Sequence, residues 1–351
     1  MTREDKLGIS GVEIRKDPRL LGQSVILIPQ FTGNLGDSQT STEGTSILPY
    51  SKNGSEVDVK SPDKHHLFIL EEVREIEGVG LYDRVSGFGA DERLEARGIF
   101  SPTSLELLIS TFIKRTKELK QGEKGSSLRQ FHAYGIYKTD DSSLTGRLLA
   151  SREIAPNIQN ELGESNHYFH FNNRERCMYC DITKQERNSA ESSEHRVVFY
   201  HDELVFDSKG NLLYNNGAIA FVPFAPIDQH NVHILPFKHT PRLTDLSEKQ
   251  TAYLADILYK CLLSISIDAK AMQREVHNLE FAIHSVPFYS KDDVHLRSND
   301  NNRVDEYSHT YIEISPQETT SYNIPGSGWL VVPDRPKDTA ARLRHIIAEM
   351  K

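Results

Sequence analysis

Cysteine is scarce in this chain of 351 residues, yet two of its three cysteines, Cys177 and Cys180, stand three positions apart in the run RCMYCDI. Two thiolates on one tight loop can grip a single metal ion, and this spacing is half of a tetrahedral zinc site. His239, which follows an apolar strand-like run, and His309, which opens another, are suited to complete it as neutral imidazoles. The competing chemistry is a redox pair, but a redox Cys-x2-Cys usually opens a helix after a strand. Here the pair reads as a turn, with a mostly polar stretch beginning at Asp181 or Thr183. Two incidental buried cysteines are the plain structural alternative.

Histidine is the unusual count: 15 in all, 12 of them from His167 onward. Period 2 gives several of them a direction. In SHTYIEI, His309, Tyr311 and Glu313 share one strand face, and Thr310, Ile312 and Ile314 share the other. In NVHILPF, His233 alternates with Val232 and Ile234, and in EFAIHSVPF, His284 opposes Phe281 and Ile283. Three strands thus offer histidine to one sheet face, with Tyr311, Glu313 and the nearby His230 as company. A solvated face carrying a few histidines is the alternative for any single one. Tyr311, His284 and Glu313 are the candidate catalytic groups, with His233 and His230 as substrate contacts.

These residues need elements to position them. Ser104–Leu119 repeats Leu105, Leu108, Ile109, Phe112 and Ile113 at helical spacing, and Ser247–Ile265 repeats Leu254, Ile257, Leu258, Cys261, Leu262 and Ile265. Ser247 and Gln250 suit a capping box, and Cys261 falls on the core stripe. Asp338–Met350 reads as a terminal helix capped by Asp338. Strand-like runs are Gln130–Tyr137, Arg196–Phe206, Ala218–Phe224, Val232–Phe237, Leu279–Pro287 and Thr310–Ser315, besides an opening strand at Val25–Ile28. Residues 31–64, 121–128 and 186–194 read as loops, the last as an insertion. Strand, loop, long helix, strand, strand occurs around residues 92–151 and again around 218–315, which points to an internal duplication. The expected units are 1–170 and 171–351.

The totals narrow the partners. Net charge is −9 and the basic residues are scattered, which argues against a nucleic-acid groove. No stretch approaches the ~20 apolar residues of a membrane span. The start, MTREDKLGIS, has no apolar signal core. Three cysteines make no disulfide framework, so a reducing, cytoplasmic setting is the default expectation.

In order along the chain, RCMYCDI, AFVPFAP, NVHILPFKH, FAIHSVP and YSHTYIEISP resemble the galactose-1-phosphate uridylyltransferase group of the histidine-triad superfamily, which includes sugar-nucleotide phosphorylases. SGVEIRKDP, SGFGADE, SREIAPNIQNELG and GSGWLVVPDRPKDTAARLR extend the resemblance over most of the chain. The resemblance implies an α+β fold of two histidine-triad-like repeats, each an antiparallel sheet with a long helix. It implies one structural zinc per chain on Cys177, Cys180, His239 and His309, and a homodimer. It also implies a second metal site near Glu161, His284 and Tyr311, where Tyr311 replaces a family histidine.

Two departures are plain. The first-repeat cysteine pair would fall near residues 47–51, which read ILPYS. The family's catalytic His-x-His-x-Gln, whose second histidine attacks the α-phosphorus, would fall on SLTGR, with Thr145 at the nucleophile and Arg147 at the glutamine. No histidine lies between His132 and His167, so double displacement through a nucleotidyl-histidine is not expected. One reading is therefore an enzyme on a nucleotide, sugar nucleotide or related phosphate ester, with water or phosphate attacking directly. Arg147 and Arg152 would then steady phosphoryl charge; the plain alternative is a solvated pair. The other readings are a catalytically silent nucleotide-sugar-binding or partner-binding protein, and a relocated site in the second repeat with non-phosphoryl chemistry.

Overall fold

The computed structural model describes residues 100–121, 128–140, 142–151, 154–171, 175–192, 195–274, 276–288, 303–316 and 334–350, and the backbone of seven further short strands. In chain order the elements are β1 (Glu13–Lys16), β2 (Ser24–Leu27), β3 (Leu67–Leu70), β4 (Arg74–Ile76), β5 (Gly80–Phe88), α1 (Pro102–Gln121), β6 (Gln130–Lys138), β7 (Leu144–Ser151), α2 (Pro156–His170) and α3 (Met178–Ser189). There follow β8 (Val197–His201), β9 (Leu204–Phe206), β10 (Leu212–Asn215), β11 (Ala218–Phe221), β12 (Val232–Pro236), α4 (Glu248–Ala271), β13 (Asn278–His284), α5 (Val304–Tyr307), β14 (Tyr311–Pro316), β15 (Tyr322–Asn323), β16 (Leu330–Val331) and α6 (Pro336–Glu349).

One ten-stranded sheet organises the molecule, in the order β3-β5-β7-β6-β13-β14-β12-β11-β8, with β4 also on β5. Every pairing in it is antiparallel. Helix, strand, strand occurs twice, as α1-β6-β7 and α4-β13-β14, and the two runs meet where β6 pairs with β13.

Alternation assigns the two faces. On β13, Leu279, Phe281 and Ile283 are buried while Glu280, Ala282 and His284 are half-buried. The buried set joins α1, α4 and α6 in the main core. α4 starts as its sequence predicts: the Ser247 hydroxyl accepts from the Gln250 backbone N–H, and the Gln250 side chain returns to the Ser247 N–H. Two smaller apolar clusters lie elsewhere: one joins the Cys177–Tyr179 turn to β11, β12 and Tyr311, and the other joins α2 to α5.

Gly135 marks a close approach between the two runs. It is the cross-strand partner of Phe281, and a Cβ there would fall inside that buried ring. Gly135→Ala is therefore expected to cost about 1–3 kcal/mol by overpacking, read as a lower denaturant midpoint with an unchanged slope.

Several expectations about elements need correction. The run at 196–206 is two strands, broken at Asp202 and Glu203, and β9 turns away to pair with β10. Asn215 accepts the Glu203 and Gly217 N–H groups and fixes that break. Residues 186–189 are helical, because Thr183 and Glu186 form a buried face of α3 and Glu186 pairs with Arg196. α6 is entered from Arg335 with Pro336 in its first turn, and Asp338 lies inside that turn. α2 is a further helix, built on the stripe of Ile158, Leu162, Ser165 and Phe169 behind Pro156. Residues 31–64 and 122–127, read as loops, lie outside the described residues.

Candidate active-site face and metal cluster

The cysteine pair does not lie on a free turn. Cys177 is the N-cap of α3 and Cys180 sits in its first turn. This is a helix start, the setting sequence reasoning reserved for redox pairs, but it follows α2 and not a strand. Its company decides the chemistry. Cys177, Cys180 and His239 each bring one ligand atom, all within 4.8 Å of one another. The Cys180 Sγ lies 3.3 Å from His239 Nδ1. His239 Nε2 faces the Asp305 carbonyl at 2.7 Å and donates to it, which leaves Nδ1 as a lone pair aimed at the thiols. A hydrogen bond from Cys180 pulls the Cys177 thiol far below its ordinary range against burial, with His239 and His309 adding to the pull. This cluster can hold a metal ion.

His309 stands beside it, its ring 5.4 Å from that of His239 and perpendicular to it. Its Nδ1 donates to the Thr310 carbonyl at 2.8 Å, and its buried Nε2 has no hydrogen-bond partner. Burial pushes this imidazole down to about 4, so it is neutral. An orphaned buried lone pair next to two thiols and an imidazole is a misfit in an apolar wall. The close cluster itself holds the ligand atoms of Cys177, Cys180 and His239, and His309 lies beside it without being one of them.

The second cluster is built around His284 at the end of β13. Its Nε2 lies 3.1 Å from Glu313 Oε2, and its Nδ1 3.5 Å from Glu161 Oε2 of α2. Burial opposes its charge, but the hydrogen bonds and charges of Glu161 and Glu313 win and lift it to about 9. Burial likewise pushes both carboxyls up, and their partners pull them below the carboxylate range: His284, Tyr179 and Tyr311 for Glu161, His233 and His284 for Glu313. Asn231 donates to Glu313 Oε1 at 2.9 Å, and His233 Nε2 is 3.6 Å from the same oxygen. Tyr311 stacks on His284 at 4.1 Å and on Tyr179 at 5.3 Å. Burial and the charges of Glu161 and Glu313 push the Tyr311 phenol above its ordinary value.

The Glu161, His284 and Tyr311 group is thus assembled, but as an imidazolium between two carboxylates with a protonated phenol. With no metal ion present, burial and the two nearby anions favour the protonated form of Tyr311. A cavity of about 20 Å³ beside it is lined by Glu161, His284, Ser308 and His309 among others, room for about one water.

His230 is not brought into this cluster. It is buried against α4, with Nε2 2.9 Å from Asp268, which also receives Arg342. Its neighbour Asn231 is the residue that reaches Glu313. Arg152 lies outside the described residues.

Arg147 of β7 lies on the same sheet face, on one rung that runs Arg147, Tyr134, Ala282, Glu313, His233. It is 1 % exposed, and its Nε and Nη1 have no hydrogen-bond partner among the described residues. The Tyr134 ring is 6.0 Å from its Cζ. Three strand spacings, roughly 14 Å, separate it from Glu313. Two rungs over, Gln130 binds the Ala155 N–H and turns its amide to His132, which lies on the rung between. Burial and the His284 charge push His132 down to about 4. Tyr179, Asn231, Gln130 and His132 were missed in the sequence; only period 2 on β6 and the place of Tyr179 between the cysteines could have flagged them.

This arrangement is similar to known structures. A uridylyltransferase structure aligns with a TM-score of 0.61 at 16% identity over 96% of this chain and 99% of that one. An ADP-glucose phosphorylase from Arabidopsis thaliana, with bound ADP-glucose, aligns at 0.58 and 16% over 95% and 99%. A GalT-like protein from the same plant aligns at 0.56 and 16% over 82% and 86%. No protein-family model matches the chain, and no curated protein sequence matches it. The chain therefore has the galactose-1-phosphate-uridylyltransferase-like α+β fold; at such identities the likeness establishes the fold. No described helix is long and apolar enough to cross a membrane.

Proposed function

We propose that this chain is a divergent nucleotidyltransferase- or phosphorylase-like enzyme, acting on a nucleotide, sugar nucleotide or related phosphate ester without a histidine nucleophile. The observation that carries the reading is Arg147. A buried guanidinium with unanswered N–H groups is costly, and it stands where the resemblance puts the family's reacting motif, on a strand with no histidine. An anionic phosphoryl group would satisfy it. With Thr145 in place of a nucleophilic imidazole, attack falls to water or phosphate, and Arg147 neutralises charge on the phosphoryl oxygens. Arg152, His233 and His230 are the further proposed contacts; of these, His233 shares the Arg147 rung.

Within the same reading, residues 1–170 and 171–351 are the duplicated units. Cys177, Cys180, His239 and His309 hold one zinc, which supplies a structural cross-link between α3 and the sheet. His284, charged and clamped by Glu313 with Tyr311 stacked on it, keeps a proton available on the active face. The ADP-glucose in one neighbour supports a nucleotide-sugar ligand. A homodimer follows from the resemblance, and a reducing, cytoplasmic place from the scarcity of cysteine. One observation favours the catalytically silent alternative: His284 is ion-paired with both Glu161 and Glu313, and the cavity beside them has room for only about one water. That closure also lends no support to a relocated site in the second repeat.

The test is phosphorus NMR with a panel of nucleoside diphosphate sugars, with and without inorganic phosphate. New resonances are expected, and their identity separates hydrolysis from phosphorolysis; broadened ligand signals without products would select the binding protein. Arg147→Met should weaken ligand binding about ten- to hundredfold, the worth of a charge-assisted hydrogen bond. The same change should stabilise the ligand-free protein, because it removes an unpaired buried charge. A variant that loses stability and keeps affinity would make Arg147 structural.

A further inference from the structure

The loop that carries the metal cluster also reaches the His284 cluster, through one residue. Tyr179 sits between Cys177 and Cys180 in the first turn of α3. Successive helical residues turn by about 100°, so Tyr179 cannot follow its cysteine neighbours toward His239. It crosses instead to α2, where its hydroxyl donates to Glu161. Its ring packs on Tyr311, which packs on His284. The Glu161 carboxylate therefore takes Tyr179 on one oxygen and faces His284 with the other.

The start of α3 is packed in the apolar cluster with β11, β12 and Tyr311, but its backbone is short of polar support. Cys177 occupies the N-cap without a side-chain hydrogen bond to the exposed backbone N–H groups, and such groups stay unsatisfied unless something caps them. Polar support comes from Asp181, which receives Arg176 and Tyr168. A metal bound by Cys177, Cys180 and His239 would fix this turn, and with it the direction of the Tyr179 hydroxyl.

We propose that Tyr179 is a positioning residue that ties metal occupancy to the placement of Glu161 and His284. The inference rests on the metal reading given above. It makes the metal more than a staple: metal binding and the Glu161 contact stabilise the same turn, so each strengthens the other. Such linkage is reciprocal. Loosening Glu161, which is not a ligand, must therefore loosen the metal.

The test uses the full chain loaded with zinc, and follows zinc release into a coloured chelator. Tyr179→Phe and Glu161→Ala are each expected to speed release by about fivefold, a coupling of ordinary size. The double variant should release no faster than the faster single one, because both break the same contact. Circular dichroism checks that each variant is folded before release begins. In a second arm, histidine-selective NMR of the wild type should show the His284 ring signals move when zinc is withdrawn, and the Tyr179→Phe protein should show a smaller move. Zinc that binds but leaves at the wild-type rate from both variants overturns the coupling and spares the metal site. Additive effects overturn it as well. A chain that binds no zinc overturns the metal reading beneath it.

Discussion

Withdrawal of the metal is expected to lower the thermal midpoint of this protein by about 10 °C or more. The expectation follows from what the cluster joins. Cys177 and Cys180 belong to the start of α3, His239 follows β12, and His309 precedes β14, so one ion would cross-link three separate parts of the chain. Structural zinc binds its ligands with apparent free energies of about 10–16 kcal/mol in small domains. Whatever binds the folded state alone adds to its stability. A loss of ~8 kcal/mol, still below that range, moves the midpoint of a chain of this size by about 10 °C. The buried Nε2 of His309 adds to the loss, since without metal it has no partner. The measurement is elemental analysis of the purified chain followed by thermal unfolding with and without chelator, repeated for Cys177→Ser. About one zinc per chain and a large drop are expected. None, or two, would overturn the four-ligand assignment.

The second expectation is a stability that fades with rising pH. His284 ionises at about 9 in the folded chain, against about 6.5 for a free imidazole. A group whose value is raised by folding stabilises the fold fully below its unfolded value, and that stabilisation is lost as pH rises through the folded value. The window for His284 is therefore roughly pH 6.5 to 9, and the amount about 3 kcal/mol. Its side chain is 17% exposed, so solvent screening removes little of it. Glu313, lowered by burial's opponents His233 and His284, has the opposite sign: its share is present above its unfolded value and lost as pH falls through the lower, folded one. The two are one interaction seen from two sides and are not added. The difference in thermal midpoint between the wild type and His284→Gln should be widest near pH 6 and nearly vanish by pH 10. A gap that holds constant across that range would show that His284 is not the charged partner.

Much of this is legible in the sequence. The apolar stripe from Leu254 to Ile265 and the Ser247–Gln250 box place α4 because local periodicity and capping are properties of adjacent residues. The alternation on β13 and β14 sorts His284, Tyr311 and Glu313 onto one face for the same reason. What the sequence did not disclose depends on partners far along the chain. Glu186 reads as loop chemistry until Arg196 buries it. His230 reads as a site histidine until Asp268, 38 residues away, claims it. Tyr179 looks like a spacer between cysteines until Glu161 is known to face it. Asn231 sits beside a histidine of greater apparent interest, yet it is the one that holds Glu313.

The pairing of β6 with β13 has a further consequence, for how this chain reaches its native state. The register joins Lys138 to Asn278 and Ala133 to Ile283, so the central seam of the sheet closes a loop longer than many whole domains. Loop closure of that kind must be met in entropy before any contact rewards it, which places the seam among the late events of folding. Until it closes, each run of strands carries a raw edge, with unpaired N–H and C=O groups and the ring of Phe281 uncovered. Such edges recruit other chains. The nascent polypeptide is therefore most prone to association in the interval between synthesis of β6 and arrival of β13, and Gly135, which admits Phe281 across the seam, is the residue on which that closure turns.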